Sequence, residues 1–316
     1  MNLAEFDYEA AVIGNGPGGL LAALYLGRFK RSVAVFGAGE PRASWIPKTH
    51  NLIGFENGIG GEKLIEKMRT QASEVGAVFI NDRVKIFPEE NGFLILGNKT
   101  EVRAQNVIVA TGISDTQPKI SNVTELRKLG LIRYCPVCDA YEFQDKKIAV
   151  LACDDHGFKT SLFLWRYSKD LKIIVSKACN PKAETLALVE QREIEVIYEE
   201  IDSVQALSNQ SMRLQLSNGR ELNADVLYPA LGFKVNDDAF AQIKGLKRTE
   251  KGCLIVDRHQ RLQIPGMYAI GDCVDGLSQI AVAAGQAAIA ATALHTDIRN
   301  LGYRQEIKHL EQTAQL

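Results

Sequence analysis

An excess of charge of one sign is missing: Lys and Arg total 37 against 38 Asp and Glu, a formal net charge of −1. So balanced a chain offers no field to a nucleic-acid backbone or an anionic membrane, and neither partner is expected. Long hydrophobic runs are missing too. The most apolar helical stretch, Ile280 to Leu294, is alanine-rich and broken by Gly285 and Gln286, too short and too polar to span a bilayer. Cysteine is scarce, at six residues in 316, which excludes a disulfide framework and favours the cytosol. The N-terminus carries Glu5 and Asp7 and runs straight into a strand, without the basic and apolar regions of a secretory signal. There is one Cys-x-x-Cys only, and the five histidines are scattered. The roughly four ligands of a structural zinc are therefore not assembled, and no metal is expected. What remains is a cytoplasmic globular chain, 46% apolar and 24% charged, with room for more than one domain.

The first distinctive pattern is a strand, a glycine-rich turn and a helix. Tyr8 to Ile13 reads as a buried strand, and Gly14-Asn15-Gly16-Pro17-Gly18-Gly19 leads into an apolar helix, Leu20 to Phe29. Here Gly14 permits the tight turn, Gly16 lets the backbone approach a pyrophosphate, and Gly19 allows close helix–strand packing. The helix N-terminus then faces the phosphates. The next strand, Ser32 to Phe36, ends in Gly37 instead of the Asp or Glu that commonly holds a ribose, leaving Glu40, Arg42 or backbone for that role. Further on, a helix is expected from Gly61 to Val75, two or three strands between Val78 and Val102, and a strand from Asn106 to Ala110 ending in Thr111-Gly112. Strands are also expected at Leu254 to Val256 and Met267 to Ile270. The latter ends in Gly271-Asp272, with Ser278-Gln279-Ile280-Ala281 opening the alanine-rich helix. Gly-Asp at a strand end suits a carboxylate that holds a ribityl hydroxyl.

The pattern repeats in the second half with its key residues altered. Lys147 to Leu151 is a strand and Phe158 to Tyr167 a helix, but the turn between them reads Ala152-Cys153-Asp154-Asp155-His156-Gly157. A side chain at Asp154 keeps the backbone from a pyrophosphate, and two carboxylates repel its charge. The following strand, Leu171 to Val175, ends in Ser176-Lys177 with no arginine pair for a 2′-phosphate. This half keeps the βαβ pattern without its usual nicotinamide site, and ordinary NADPH binding is not expected.

Between the two halves lies Cys135-Pro136-Val137-Cys138-Asp139. Cysteines at this spacing can close and reopen a disulfide with little backbone movement. A turn of helix from Cys135 would lower the pKa of its thiolate, and Asp139 places a carboxyl where a proton can reach a departing sulfur. Half a zinc site and two inert buried cysteines are the competing readings, and a redox dithiol is the one pursued.

In this order, Gly14 to Gly19, Ala110-Thr111-Gly112, Cys135 to Asp139 and Gly271-Asp272 with Gln279-Ile280-Ala281 resemble the thioredoxin reductases of low molecular weight, and the resemblance extends as far as Ile298. It implies an α/β fold of two Rossmann-like domains. The FAD domain, residues 1–114 and 241–316, is interrupted by a degenerate NADPH-type domain, 115–240, that carries the dithiol. It further implies a homodimer, with Cys138 exchanging electrons with flavin, Cys135 with a thioredoxin-like or other dithiol protein, and Asp139 as the acid–base group. FAD-contact positions by the same resemblance and the local reading are Gly14, Gly16, Pro17, Gly19, Arg42, Asn51, Ala110, Thr111, Gly112, Gly271, Asp272, Gln279, Ile280 and Ala281.

The departures point within the family. Where a typical member has Gly-x-Gly-x-x-Ala and a His-Arg-Arg run, this chain has Ala152 to Gly157 and Val175-Ser176-Lys177. It resembles in this the pyridine-nucleotide-independent branches, the ferredoxin-dependent flavin thioredoxin reductases and the diflavin-linked disulfide oxidoreductases, in which ferredoxin or a second FAD stands in for NADPH. In either, Tyr303 of the polar tail would cover the flavin face. The expected function is thus FAD-dependent thiol–disulfide exchange without NADPH. The alternatives are an NADPH-dependent thioredoxin reductase with an unorthodox cofactor site and a non-enzymatic flavin–dithiol redox sensor.

Overall fold

The computed structural model describes residues 6–175, 179–208 and 210–313, with side chains as far as residue 302. The chain divides into two units: Met1–Ser44, Glu62–Ile113 and Val235–Leu316 form the first, Trp45–Gly61 and Ser114–Lys234 the second.

The first unit opens with Tyr8–Ile13 (β1), Pro17–Arg28 (α1) and Val33–Phe36 (β2). β1 and β2 are parallel, with Ala10 opposite Val33 and Ile13 opposite Phe36. Both are near-continuous apolar runs because both of their faces are covered. Ala11, Ile13 and Phe36 pack on one side with Ile86, Ile95 and Met267. Val12, Val33 and Val35 pack on the other with Ala22, Ala23 and Leu26 of the helix. Next come Gly61–Glu74 (α2), Val78–Ile80 (β3), Val84–Glu89 (β4), Gly92–Gly97 (β5) and Glu101–Val109 (β6).

The strand expected from Asn106 to Ala110 is longer than its apolar core, beginning at Glu101. Its first residues alternate exposed and buried, Glu101 and Arg103 outward, Val102 and Ala104 inward, and pair antiparallel with β5. Beyond Asn106 it is buried on both faces and parallel to β1. Two kinds of strand pattern meet in one element, and the charged alternating part hides it.

Ile113–Asp115 (β7) leads into the second unit, which contains Val123–Lys128 (α3), Pro136–Asp139 (α4), a 3₁₀ turn at Ala140–Phe143, Ile148–Ala152 (β8), Asp155–Leu164 (α5), Leu171–Val175 (β9), Ala183–Glu190 (α6) and Glu195–Ile197 (β10). Three antiparallel strands follow, Ile201–Ser208 (β11), Ser211–Leu216 (β12) and Glu221–Ala224 (β13), then Val226–Ala230 (β14). The parallel sheet has the order β10-β9-β8-β14. The segment Trp45–Gly61 belongs here: the guanidinium of Arg127 lies 3.8 Å from the ring of Trp45.

Phe233–Val235 (β15) returns the chain to the first unit, where Met267–Ala269 (β16) and Ile280–Thr313 (α7) complete it. The large sheet runs β3-β2-β1-β6-β5-β4, and β16 joins β6 beyond the stretch that β5 occupies. The alanine-rich face of α7 is core: Ala287, Ala290, Ala291 and Leu294 are buried with Ala22 and Leu26 of α1. Leu254 to Val256 is not a strand. Leu254 makes single bridges to Arg248 and Val274 on its two sides, and no ladder grows from either. No helix among the described residues is long and apolar enough to cross a membrane.

Candidate active and dinucleotide sites

Cys135 and Cys138 form a disulfide. Pro136 starts α4, the Cys138 N–H donates to the Cys135 carbonyl at 2.9 Å, and both cysteines are half-buried, with Val137 exposed between them. The segment before them is registered against β14. Ile132 bridges Leu227, and the Arg133 N–H donates to the Leu227 carbonyl at 3.0 Å. That register brings two side chains that sequence reading missed onto Asp139. The phenol of Tyr228 donates to Asp139 Oδ1 at 2.7 Å, and the Arg133 guanidinium lies 3.5 Å from Oδ2. Burial pushes the Asp139 carboxyl up to about 6, against the lowering effects of Tyr228 and Arg133. Tyr228 was findable in principle. A tyrosine inside the buried run Val226–Ala230 carries a hydroxyl that needs a partner.

In the first unit the glycine-rich turn has three distinct constraints. Gly14 has φ +126°, and a Cβ there would lie 2.1 Å from the Ala110 carbonyl oxygen; one on Gly19 would lie 2.0 Å from the Gly14 carbonyl oxygen. Around Gly16 the nearest atom would be Pro41 Cβ at 3.9 Å, so the fold itself leaves that position open. Gly16 is also the N-cap of α1, which has no side-chain cap and no acidic residue in its first turn. The helix starts at Pro17, earlier than the expected Leu20, so its unpaired N–H groups come from the glycine turn itself. An open approach and uncapped donors fit the pyrophosphate of a dinucleotide such as FAD.

Other expected contact residues converge on the same strand ends. Ala110 follows β6 and its N–H donates to the Ile13 carbonyl at 2.8 Å, while Asn236 Nδ2 donates to the Thr111 carbonyl at 3.0 Å. The Gly112 carbonyl accepts from the Asn236 N–H at 3.0 Å. Arg42 and Asp272 are 3.5 Å apart. The Gly271 N–H donates to Gln286 Oε1 at 2.7 Å, a partner the sequence did not reveal. Gln279 precedes α7, whose first residues are Ile280 and Ala281. The glycine at 37 also has its reason: a Cβ there would meet Asn15 Cγ at 2.5 Å. Asn51 lies in the Trp45–Gly61 segment of the second unit, where its Oδ1 accepts from the Thr49 hydroxyl at 2.8 Å. The side chain of Tyr303, and Ser176-Lys177, lie outside the described residues. Cys273 is fully buried, with its thiol pushed up to about 11 by burial and its Sγ 3.2 Å from the Ile270 carbonyl.

The second turn is built oppositely. Asp154 is the N-cap of α5, and its Oδ1 accepts from the N–H groups of His156 at 3.0 Å and Gly157 at 3.3 Å. This cap extends the helix back to Asp155, three residues before the expected Phe158. Asp155 Oδ1 accepts from the Lys182 N–H at 3.1 Å. At Gly157 a Cβ would lie 2.4 Å from that of Ala152, so close helix–strand packing persists here. Among the described residues no group of three or more His, Cys, Asp or Glu is arranged to hold a metal ion.

The family model of pyridine nucleotide-disulphide oxidoreductases matches residues 8–287. The thioredoxin reductase of Aquifex aeolicus is 28% identical over 309 residues, 91% of this chain and 92% of its own. The atypical thioredoxin reductase from Desulfovibrio vulgaris Hildenborough has a solved structure with 32% identity and TM-score 0.52, covering 93% of this chain and 98% of that one. The thioredoxin reductase from Streptococcus pyogenes shares the fold, with TM-score 0.84 at 23% identity over 93% of this chain and 98% of that one. With a closed Cys-x-x-Cys in one Rossmann-like unit and an uncapped glycine turn in the other, the chain belongs to the pyridine nucleotide-disulphide oxidoreductases and is a thioredoxin reductase-like, flavin-dependent disulfide oxidoreductase.

Proposed function

We propose that this enzyme exchanges electrons between FAD and the Cys135–Cys138 disulfide, and through it with a thioredoxin-like protein, using a donor other than NADPH. The observation that carries the donor reading is Asp154: its carboxylate holds the α5 N–H groups on which a dinucleotide pyrophosphate would rest. The equivalent groups of α1 have no such cap. Relatives named thioredoxin reductase supply the substrate class, and Val137 and Tyr141, both exposed around the disulfide, offer an apolar surface to a protein partner.

In this reading Gly14, Gly16, Pro17 and Gly19 hold the FAD pyrophosphate, with Arg42, Ala110, Thr111, Gly112, Gly271, Asp272, Gln279, Ile280 and Ala281 around the same strand ends and Asn51 as a further contact. Bound FAD supplies two-electron reduction and oxidation. With FAD bound, Cys138 would exchange electrons with the flavin and Cys135 with the protein substrate, and Asp139 would move the proton that accompanies each opening or closing of the S–S bond. The reading includes a homodimer, checked by sedimentation.

Released flavin per polypeptide, followed by anaerobic NADPH titration of the absorbance, tests the donor. Flavin that stays oxidised supports the proposal: two flavins per chain then identify a second FAD as the relay, and one flavin directs the search to ferredoxin. Rapid bleaching at low NADPH overturns the proposal and makes the chain an NADPH reductase with an unorthodox site.

A further inference from the structure

We propose that Tyr228 is a positioning residue for Asp139: its phenol, donated from β14 to Oδ1 at 2.7 Å, fixes the carboxyl so that Oδ2, 3.5 Å from the Arg133 guanidinium, carries the transferable proton. The inference rests on Asp139 being the proton carrier and says what makes it one.

Tyr228 is 1% exposed, in a strand whose other residues are aliphatic or Pro229. A hydroxyl so placed is destabilising unless it is paired, and Asp139 is its partner. The phenol ring is held edge-on to Phe143 at 6.2 Å, on the turn that continues from α4. The register of Leu227 with Ile132 sets β14 against the segment that carries Arg133 and Cys135. Phenol, carboxyl and disulfide are thus positioned by one stretch of backbone pairing. Three neighbours act on the Asp139 charge: Tyr228 from β14 and Arg133 from the segment before Cys135 favour the carboxylate, and Glu142 from the 3₁₀ turn opposes it. Burial opposes it most, and the outcome is a carboxyl that titrates at about 6.

An incoming thiolate forms a bond to one sulfur of the Cys135–Cys138 pair, and the existing S–S bond breaks. Its electron pair leaves on the other sulfur, and the Asp139 proton passes to that sulfur as the carboxylate forms. Tyr228 stabilises the carboxylate product through a charge-assisted hydrogen bond. Removing that bond keeps the proton on Asp139 to higher pH.

The test uses the FAD-loaded protein. The Asp139 carboxyl carbon is followed by ¹³C NMR across pH, assigned by its loss in Asp139→Asn. Reduction of Cys135–Cys138 by dithiothreitol is followed by thiol counting and divided by the reagent's thiolate fraction. In Tyr228→Phe, which keeps the ring against Phe143, the carboxyl midpoint and the falling alkaline limb of the rate both move up by about one pH unit. Fluorotyrosine at position 228, a stronger donor of the same shape, moves both down. A midpoint and limb unmoved by either replacement, with the limb lost in Asp139→Asn, overturn the role of Tyr228 alone. A limb that survives Asp139→Asn overturns the proton-carrier reading beneath it.

Discussion

Three glycines within six residues of one another, Gly14, Gly16 and Gly19, are required for different reasons, and the difference is measurable. Gly14→Ala forces a side chain into the Ala110 carbonyl at a positive φ, and Gly19→Ala into the Gly14 carbonyl. Each is expected to cost about 3 kcal/mol or more of stability with or without flavin. Gly16→Ala meets nothing nearer than Pro41. Its apoprotein should unfold within about 0.5 kcal/mol of the parent, while FAD affinity falls about tenfold or more, a loss of at least about 1.4 kcal/mol. Denaturation of the apoproteins and flavin titration separate the cases. Asp139 gives a pH-dependent counterpart. Its carboxyl is raised from 3.8 to about 6 in the folded chain, so the folded state holds a proton that the unfolded state releases. The stability this contributes is present below the unfolded value and lost as pH rises through the folded one, about 3 kcal/mol in all. Asp139→Asn, which cannot ionise, should therefore gain stability relative to the parent between pH 4 and pH 8, read by urea unfolding at both. The residues flanking the disulfide were visible in the sequence because spacing alone marks them. The sequence shows that Tyr228 needs a partner but not which one, because strand pairing far along the chain brings it to Asp139; Arg133 is near in the chain, and its pairing depends on the same Ile132–Leu227 bridge.

At the scale of elements, α1 and α5 hold equivalent places after β1 and β8 and differ at one end. α1 is preceded by Gly16, which offers its N–H groups no side-chain cap; α5 is preceded by Asp154, whose carboxylate takes those of His156 and Gly157. Asp154→Ala should destabilise the second unit by about 1 kcal/mol, and Asp154→Gly by only a few tenths, seen as two different downward shifts in its unfolding midpoint. Sequence patterning located both helices because each has an apolar face, yet it began both too late. The glycines of one and the acidic residues of the other interrupt the apolar run just where the first turn lies. β6 was shortened by its charged alternating half. Leu254 to Val256 looked like a strand because three apolar residues in a row satisfy the pattern, although a ladder also needs a partner that runs alongside, and here each side offers a single bridge.

For the whole molecule, each unit has its own buried clusters. One pair is centred on residues such as Phe36, Ile95, Leu26 and Ala290. The other is centred on residues such as Leu214, Leu227, Phe158 and Tyr228. Ligand at the glycine turn stabilises the fold that holds that turn. Calorimetry of the apoprotein with rising FAD should raise the unfolding transition of the first unit; a transition that stays at its starting temperature would count against FAD binding at this turn. The repeated strand–turn–helix pattern made two Rossmann-like units legible from the sequence. That the first is assembled from separated stretches of chain was implied only by family resemblance, since no periodicity records which distant strands share a sheet.

The Asp154 cap also changes what it means for α5 to be available. Its carboxylate is a competitor tethered one residue from the helix it occupies, so its effective concentration there is set by the chain and does not fall on dilution. Any phosphate arriving from solution must displace it, whatever the supply. The first turn of α1 has no resident rival, and its occupancy follows the concentration of free cofactor. Two ends of similar geometry thus answer to different variables, one to the cell's stock of dinucleotide and the other only to the sequence.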